Sequence, residues 1–166
     1  MNNHSKTTSP WLDDEVQHLV KLLLNSHQRA FKRCLLAELN CSVNANNSAM
    51  ISQELFNANF PVLAHNRGED PQLNYANSAA LKLWDRSWDM MIGMPSKMTA
   101  PSDQRQSRSE ALKNALNSHA IEGYGGIRVN SKGQMFSITN ARIWTIWDDR
   151  NRAFGQAASF KEWHWL

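Results

Sequence analysis

Apolar positions near the start of the chain follow a helical period. Val16, Leu19, Val20, Leu23 and Leu24 recur at i, i+3, i+4, i+7 and i+8, which lines one helix face. Ser9 stands where a cap would and Pro10 suits a first turn. Asp13, Asp14 and Glu15 fall near the positive end of the helix dipole. A second apolar set, Phe31, Leu35, Leu36 and Leu39, extends the predicted helix over residues 11–39. Arg29, Lys32 and Arg33 share a basic face, which reads as solvated or as a docking surface for an acidic partner. Residues 40–50 (NCSVNANNSAM) form a loop, and a short helix is expected over 51–58.

From Asn59 the pattern changes. "FPVLAHN" is a short apolar run of strand character, "RGEDPQ" supplies the residues of a reversal, and "LNYA" is the returning strand. "NSAALKLW" then becomes helical. Asn77 is a natural cap, with direct ligand contact as the alternative, and Ala79, Ala80, Leu83 and Trp84 form the inward face. The next stretch carries Gly93, Pro95 and Pro101 and reads as loop with short helical turns. It also holds Met90, Met91, Met94 and Met98, whose flexible thioethers suit irregular spaces, ligand cavities included. Residues 102–118 read as a polar helix capped by Ser102, with Ala111, Leu112, Ala115 and Leu116 inward.

Three antiparallel strands complete the chain: "IEGYGGIRVN", "QMFSITNARIWTIW" and "AFGQAASFKEWHW". Gly125 and Gly126 point to a bulge or a close backbone approach in the first. The inward alternation of Phe136 and Ile138 shifts near Asn140 to reach Ile143, which points to a bulge in the second. The predicted architecture is α+β: a five-stranded antiparallel sheet with helices on one face and an N-terminal helical extension. Residues 1–10 are expected to be disordered, 11–58 to form the extension and 59–166 the domain. A small cleft between sheet and helices is implied.

Composition narrows the function classes. The 42% hydrophobic content and seven Trp suit a real core. A net charge of +3 without a dense Lys/Arg stripe gives no footprint for nucleic acid. No apolar run approaches the roughly 18 residues of a membrane helix, and the N-terminus has no secretory core. The reading is cytoplasmic. Cys34 and Cys41 form no CxxC pair, which argues against structural zinc and against a disulfide framework. No GxSxG elbow, Walker loop, GxGxxG or paired-His zinc motif is present, so no enzymatic activity is expected.

A set of segments spread over the chain carries a resemblance. They are "PWL" at 10–12, "AHNRGEDPQLNYANSAALKLW" at 64–84, "MPSKMTA" at 94–100, "YGGIRVNSKGQMF" at 124–136, "NARIW" at 140–144 and "GQAASF" at 155–160. With them the sequence resembles the MEKHLA family, a PAS-like group of stand-alone bacterial and algal proteins that also forms the C-terminal domain of plant class III homeodomain-leucine-zipper factors. The resemblance implies a PAS-like fold and a sensory or small-ligand-binding role. It does not carry over the transcription-factor role, because residues 11–39 sustain no zipper heptad.

The expected cleft residues are His65, Trp84, Met94, Met98, Phe136, Ile138, Asn140 and Gln156. His65 reads as a hydrogen-bonded structural histidine or as a proton-responsive pocket group. Trp84 reads as core or pocket wall. Asn140 interrupts an apolar strand and needs partners if it turns inward, since a buried unpaired amide costs about 1–3 kcal/mol. Gln156 lies on the strand where flavin-binding light-oxygen-voltage domains keep a glutamine, yet no cysteine follows Asn59 to form their adduct. Haem-binding PAS domains place an axial histidine on the long helix, and 102–118 contains none. No cofactor is therefore required by the sequence, and neither flavin nor haem is favoured. The expected ligand is small and apolar or aromatic. The alternative is a ligand-free interaction module, homodimeric through a seam of Val16, Leu19 and Leu23, with a protein partner that the sequence does not identify.

Overall fold

The computed structural model describes residues 8–36 and 43–166. The expectation of disorder over 1–7 and the placement of Leu39 and Cys41 lie outside the described residues. A 3-10 turn at Pro10–Leu12 precedes α1 (Asp14–Phe31), and α2 (Ser48–Asn57) follows. Trp11 fastens that turn to α2: its ring stacks on Phe56 with centroids 3.6 Å apart, and its indole N–H donates to Gln53. The strand pair β1 (Val62–Asn66) and β2 (Leu73–Ala76) leads into α3 (Ser78–Trp84) and α4 (Trp88–Met91). Then come α5 (Arg105–Ser118), β3 (Ala120–Val129), β4 (Met135–Trp147), β5 (Ala153–Ser159) and β6 (Glu162–Trp165).

The strands form one antiparallel sheet in the order β2-β1-β5-β4-β3, with β6 also on β4. The α+β class expected from the sequence is what the chain adopts. The sheet has six strands because the last predicted strand breaks at Phe160–Lys161, where β5 ends and β6 begins. Opposite that break, Asn140 takes a left-handed conformation (φ 53°) and inserts an extra residue into β4. The bulge keeps Ile138 and Ala141 on one face despite their odd spacing. At the β1–β5 contact, a Cβ on Gly155 would run into the His65 carbonyl, so the strands approach closely only with glycine there.

Paired residues define two faces. Leu63, Ala158 and Ile143 align across β1, β5 and β4, as do His65, Gln156 and Thr145. Ala64, Ala157 and Trp144 align on the opposite side. Helices α3 and α4 cover the first face, where Leu83, Trp84 and Met91 meet Phe136, Ile138 and Phe160. Helices α1 and α2 cover the second, where Leu19, Val20, Leu23 and Leu55 meet Val62, Trp144 and Ile146. The helices after β2 thus lie on one face, as expected, and the N-terminal helical extension covers the other. The buried Trp144 indole donates to the Leu23 carbonyl at 3.1 Å, fixing α1 to β4.

This packing corrects the dimer seam. Leu19 and Leu23 are buried, and Val16 packs beside them, against the chain's own sheet. An amphipathic stripe specifies that something covers it, and here the occupant is intramolecular. The predicted 11–39 helix also stops early, at Phe31. Lys32 takes a left-handed conformation, and the Arg33 carbonyl turns back to meet His27 Nδ1 at 3.0 Å. Ser9 and Ser102 make no capping bond through their side chains; each precedes or begins a 3-10 turn. Leu116, expected inward, is exposed. Cys34 is disulfide-bonded, a single bond where the sequence reading had set aside a disulfide framework.

Candidate functional site

Between the first sheet face and α5 lies a cavity of about 50 Å³. Its apolar walls come from Leu63 on β1, Ile138, Ala141 and Ile143 on β4, Ala158 on β5 and Leu112 on α5. Trp84 and Phe160 close it on the α3 side. The Trp84 indole donates to the Thr99 carbonyl at 3.2 Å, and its ring meets Phe136 and Phe160 edge-on.

The polar groups at the walls are few. Gln156 donates its amide to the Leu112 carbonyl at 3.0 Å, tying β5 to α5. His65 is 8% exposed; its Nδ1 meets the Asn66 carbonyl at 2.8 Å, which leaves Nε2 without a partner among the described residues. Burial pushes the His65 imidazole below its ordinary pKa, and the charge of Arg108 pushes it the same way. The ring is therefore neutral, with its free nitrogen an acceptor.

Two arginines complete the walls. Arg108 lies one turn before Leu112 on α5 and so shares its face. Arg128 and Tyr124 sit on β3, with the Arg128 Nη2 donating to the Tyr124 hydroxyl at 3.0 Å and Nη1 to the Ile127 carbonyl at 2.9 Å. Gly126 lies beneath this pair: a Cβ there would come within 2.9 Å of the Arg128 guanidinium and 3.0 Å of the Tyr124 hydroxyl. Burial lowers Arg108 to a pKa of about 10, and the neighbouring Arg128 charge adds to the shift.

Of the expected cleft residues, the fold brings His65, Trp84, Ile138 and Gln156 together at this cavity. Phe136 is buried one layer behind Trp84. Met94 packs at the edge of the same core, while Met98 is exposed and accepts from Arg105 through its sulfur. The Met-rich segment therefore does not line the cavity. Asn140 is exposed at the bulge, on a separate surface groove with Arg142 and Lys161, so its amide needs no buried partner. Asn77 caps α3 from a buried position and is not at the cavity.

Sequence reasoning missed Arg108, Tyr124 and Arg128. Their signals were present. Arg108, Leu112 and Ala115 repeat at i, i+4 and i+7, and Tyr124, Gly126 and Arg128 alternate along one strand face. Among the described residues no cluster of His, Cys, Asp and Glu could hold a metal ion, and no helix is long and apolar enough to cross a membrane.

The sequence profile of the MEKHLA domain matches residues 17–165. The chain belongs to the MEKHLA domain family. The match begins inside α1, so this MEKHLA domain includes the helices on the second sheet face as well as the sheet. Among solved structures, it is similar to the PAS domain of a protein from Colwellia psychrerythraea, with a TM-score of 0.59 at 15% identity over 68% of this chain and 93% of that one. It is also similar to an RNA-binding light-oxygen-voltage receptor, with a TM-score of 0.61 at 12% identity. That alignment covers 74% of this chain but only 35% of the receptor. At these identities the likeness concerns the fold, which is PAS-like. Comparison with curated proteins gives no match.

Proposed function

We propose that this MEKHLA domain is a small-ligand-binding sensory module without catalytic activity, acting in intracellular signalling or regulation. The observation that carries the reading is the cavity between sheet and α5, apolar over most of its wall with a few polar groups converging on it. Its size sets the ligand class. A cavity of about 150 Å³ takes benzene, and this one is about 50 Å³. A ligand of a few heavy atoms fits; an aromatic ring, flavin or haem would require the walls to part. The wall offers two guanidinium groups, a neutral imidazole and an amide, and no carboxylate or thiol is among the lining residues.

The alternative of a ligand-free homodimer loses its proposed seam to the chain's own sheet. Cytoplasmic placement is our reading from the sequence. Thiol trapping in cells tests it, because a persistent disulfide at Cys34 would point to an oxidising compartment.

Native mass spectrometry of protein purified without added ligand, with an absorbance spectrum from about 300 to 700 nm beside it, tests the binding reading. A stoichiometric small-molecule adduct, colourless and lost on denaturation, is the expected result. A clean apoprotein mass that no small-molecule extract alters would overturn it.

A further inference from the structure

Arg108 and Arg128 bring two guanidinium groups to the cavity wall, and no carboxylate accompanies them. Arg108 is 9% exposed and makes no hydrogen bond or ion pair with any described residue. Arg128 is 7% exposed; its contacts are the Tyr124 hydroxyl, its neighbour's carbonyl, and the Tyr124 ring at 5.5 Å. No Asp or Glu lines the cavity. The charge of Arg128 opposes that of Arg108, and Tyr124 acts in the other direction. Buried charges in folded proteins are paired, and a like-charged neighbour makes an unpaired one costlier still. His65 Nε2, an acceptor, is a buried polar atom without a partner among the described residues on the same walls.

The two guanidinium groups call for an anion, and the remaining walls define its other end. Leu63, Leu112, Ile138 and Ile143 offer only hydrocarbon. Phosphate or sulfate would face them with oxygen on every side. A carboxylate presents a planar pair of oxygens to the guanidinium fork and an apolar tail to the rest. At about 50 Å³ the cavity limits the ligand to a few heavy atoms.

We propose that the cavity binds a short-chain carboxylate, with Arg108 as its principal charge partner and Arg128, held by Tyr124 over Gly126, as the second. This rests on the cavity being the ligand site of the domain.

The test is thermal unfolding of the full chain with sodium propionate, propionamide and sodium phosphate, all at constant ionic strength. Propionamide has the shape of propionate without its charge. Propionate is expected to raise the melting temperature saturably, and propionamide and phosphate are not. Arg108→Gln should weaken propionate at least tenfold while keeping the native circular dichroism. Arg108→Met should do the same and melt, without ligand, at or above the wild type, because it removes an unpaired buried charge; a purely structural arginine would give a lower melting point. Arg128→Gln provides a second binding variant if either fails to fold. Equal shifts from propionate and propionamide, an equal shift from phosphate, or unaltered binding by the folded arginine variants would overturn the proposal. If no propionate shift appears but native mass spectrometry finds another bound molecule, the carboxylate assignment falls and the binding reading stands. If nothing binds in either experiment, both fall.

Discussion

Asn77 makes four hydrogen bonds from a fully buried amide. Its oxygen accepts from the Ala80 and Val62 amides at 3.1 and 2.9 Å, and its nitrogen donates to the Leu55 and Phe60 carbonyls at 3.2 and 2.8 Å. One side chain thus joins α2, β1 and α3. Asn77→Ala removes all four bonds, leaving the Leu55 carbonyl only the Ala58 amide, and chemical denaturation should show a loss of about 3 kcal/mol or more; a loss below about 1 kcal/mol would mean that the network relaxes around the change. His27 sets a pH dependence. Burial, with smaller contributions from the Arg142 and Arg33 charges, lowers its pKa from 6.5 to about 4. Between those values the unfolded chain binds more protons than the native one. His27 therefore stabilises the fold fully above about 6.5, and that contribution is lost as the pH falls towards 4. His65 is shifted in the same direction. Urea midpoints should decline from pH 7 to pH 5, and His27→Gln should flatten part of that decline.

At the scale of elements, α1 belongs to the domain core. Leu23 is fully buried against the sheet, and its carbonyl accepts from Trp144. Leu23→Ala should cost about 3 kcal/mol in equilibrium unfolding, in one cooperative transition with the sheet. Two separate transitions would instead make residues 11–58 an independent extension. What was legible in the sequence follows from the range of each interaction. The β2-to-α3 handover was readable because a cap reaches only three residues along the chain. The β4 bulge was readable because it breaks a two-residue alternation locally. The partner of the α1 stripe was not, since periodicity shows that a face is covered and leaves the cover unspecified. The break between β5 and β6 depends on the bulge across the sheet at Asn140, a distant relation that no local pattern encodes.

At the scale of the whole molecule, two helical layers enclose one sheet, and the first face carries a cavity with two arginines at its walls. Half of the proposed cleft was found from sequence because His65, Trp84, Ile138 and Gln156 lie on elements whose inward faces were clear. The arginines were passed over because charge was read as solvent-facing, although Arg108 and Arg128 occupy inward positions in their helix and strand. The Met-rich segment misled for the opposite reason: adaptable side chains fill core edges and exposed turns as readily as ligand sites. The central claim is that ligand enters between the sheet and α5. It is tested most directly by amide NMR on protein unfolded, stripped by dialysis, refolded, and returned to the small-molecule fraction of a cell extract. The account predicts shifts clustered at Leu63, His65, Leu112, Arg128 and Gln156. An unchanged spectrum, or shifts confined to α1 and the second sheet face, would contradict it.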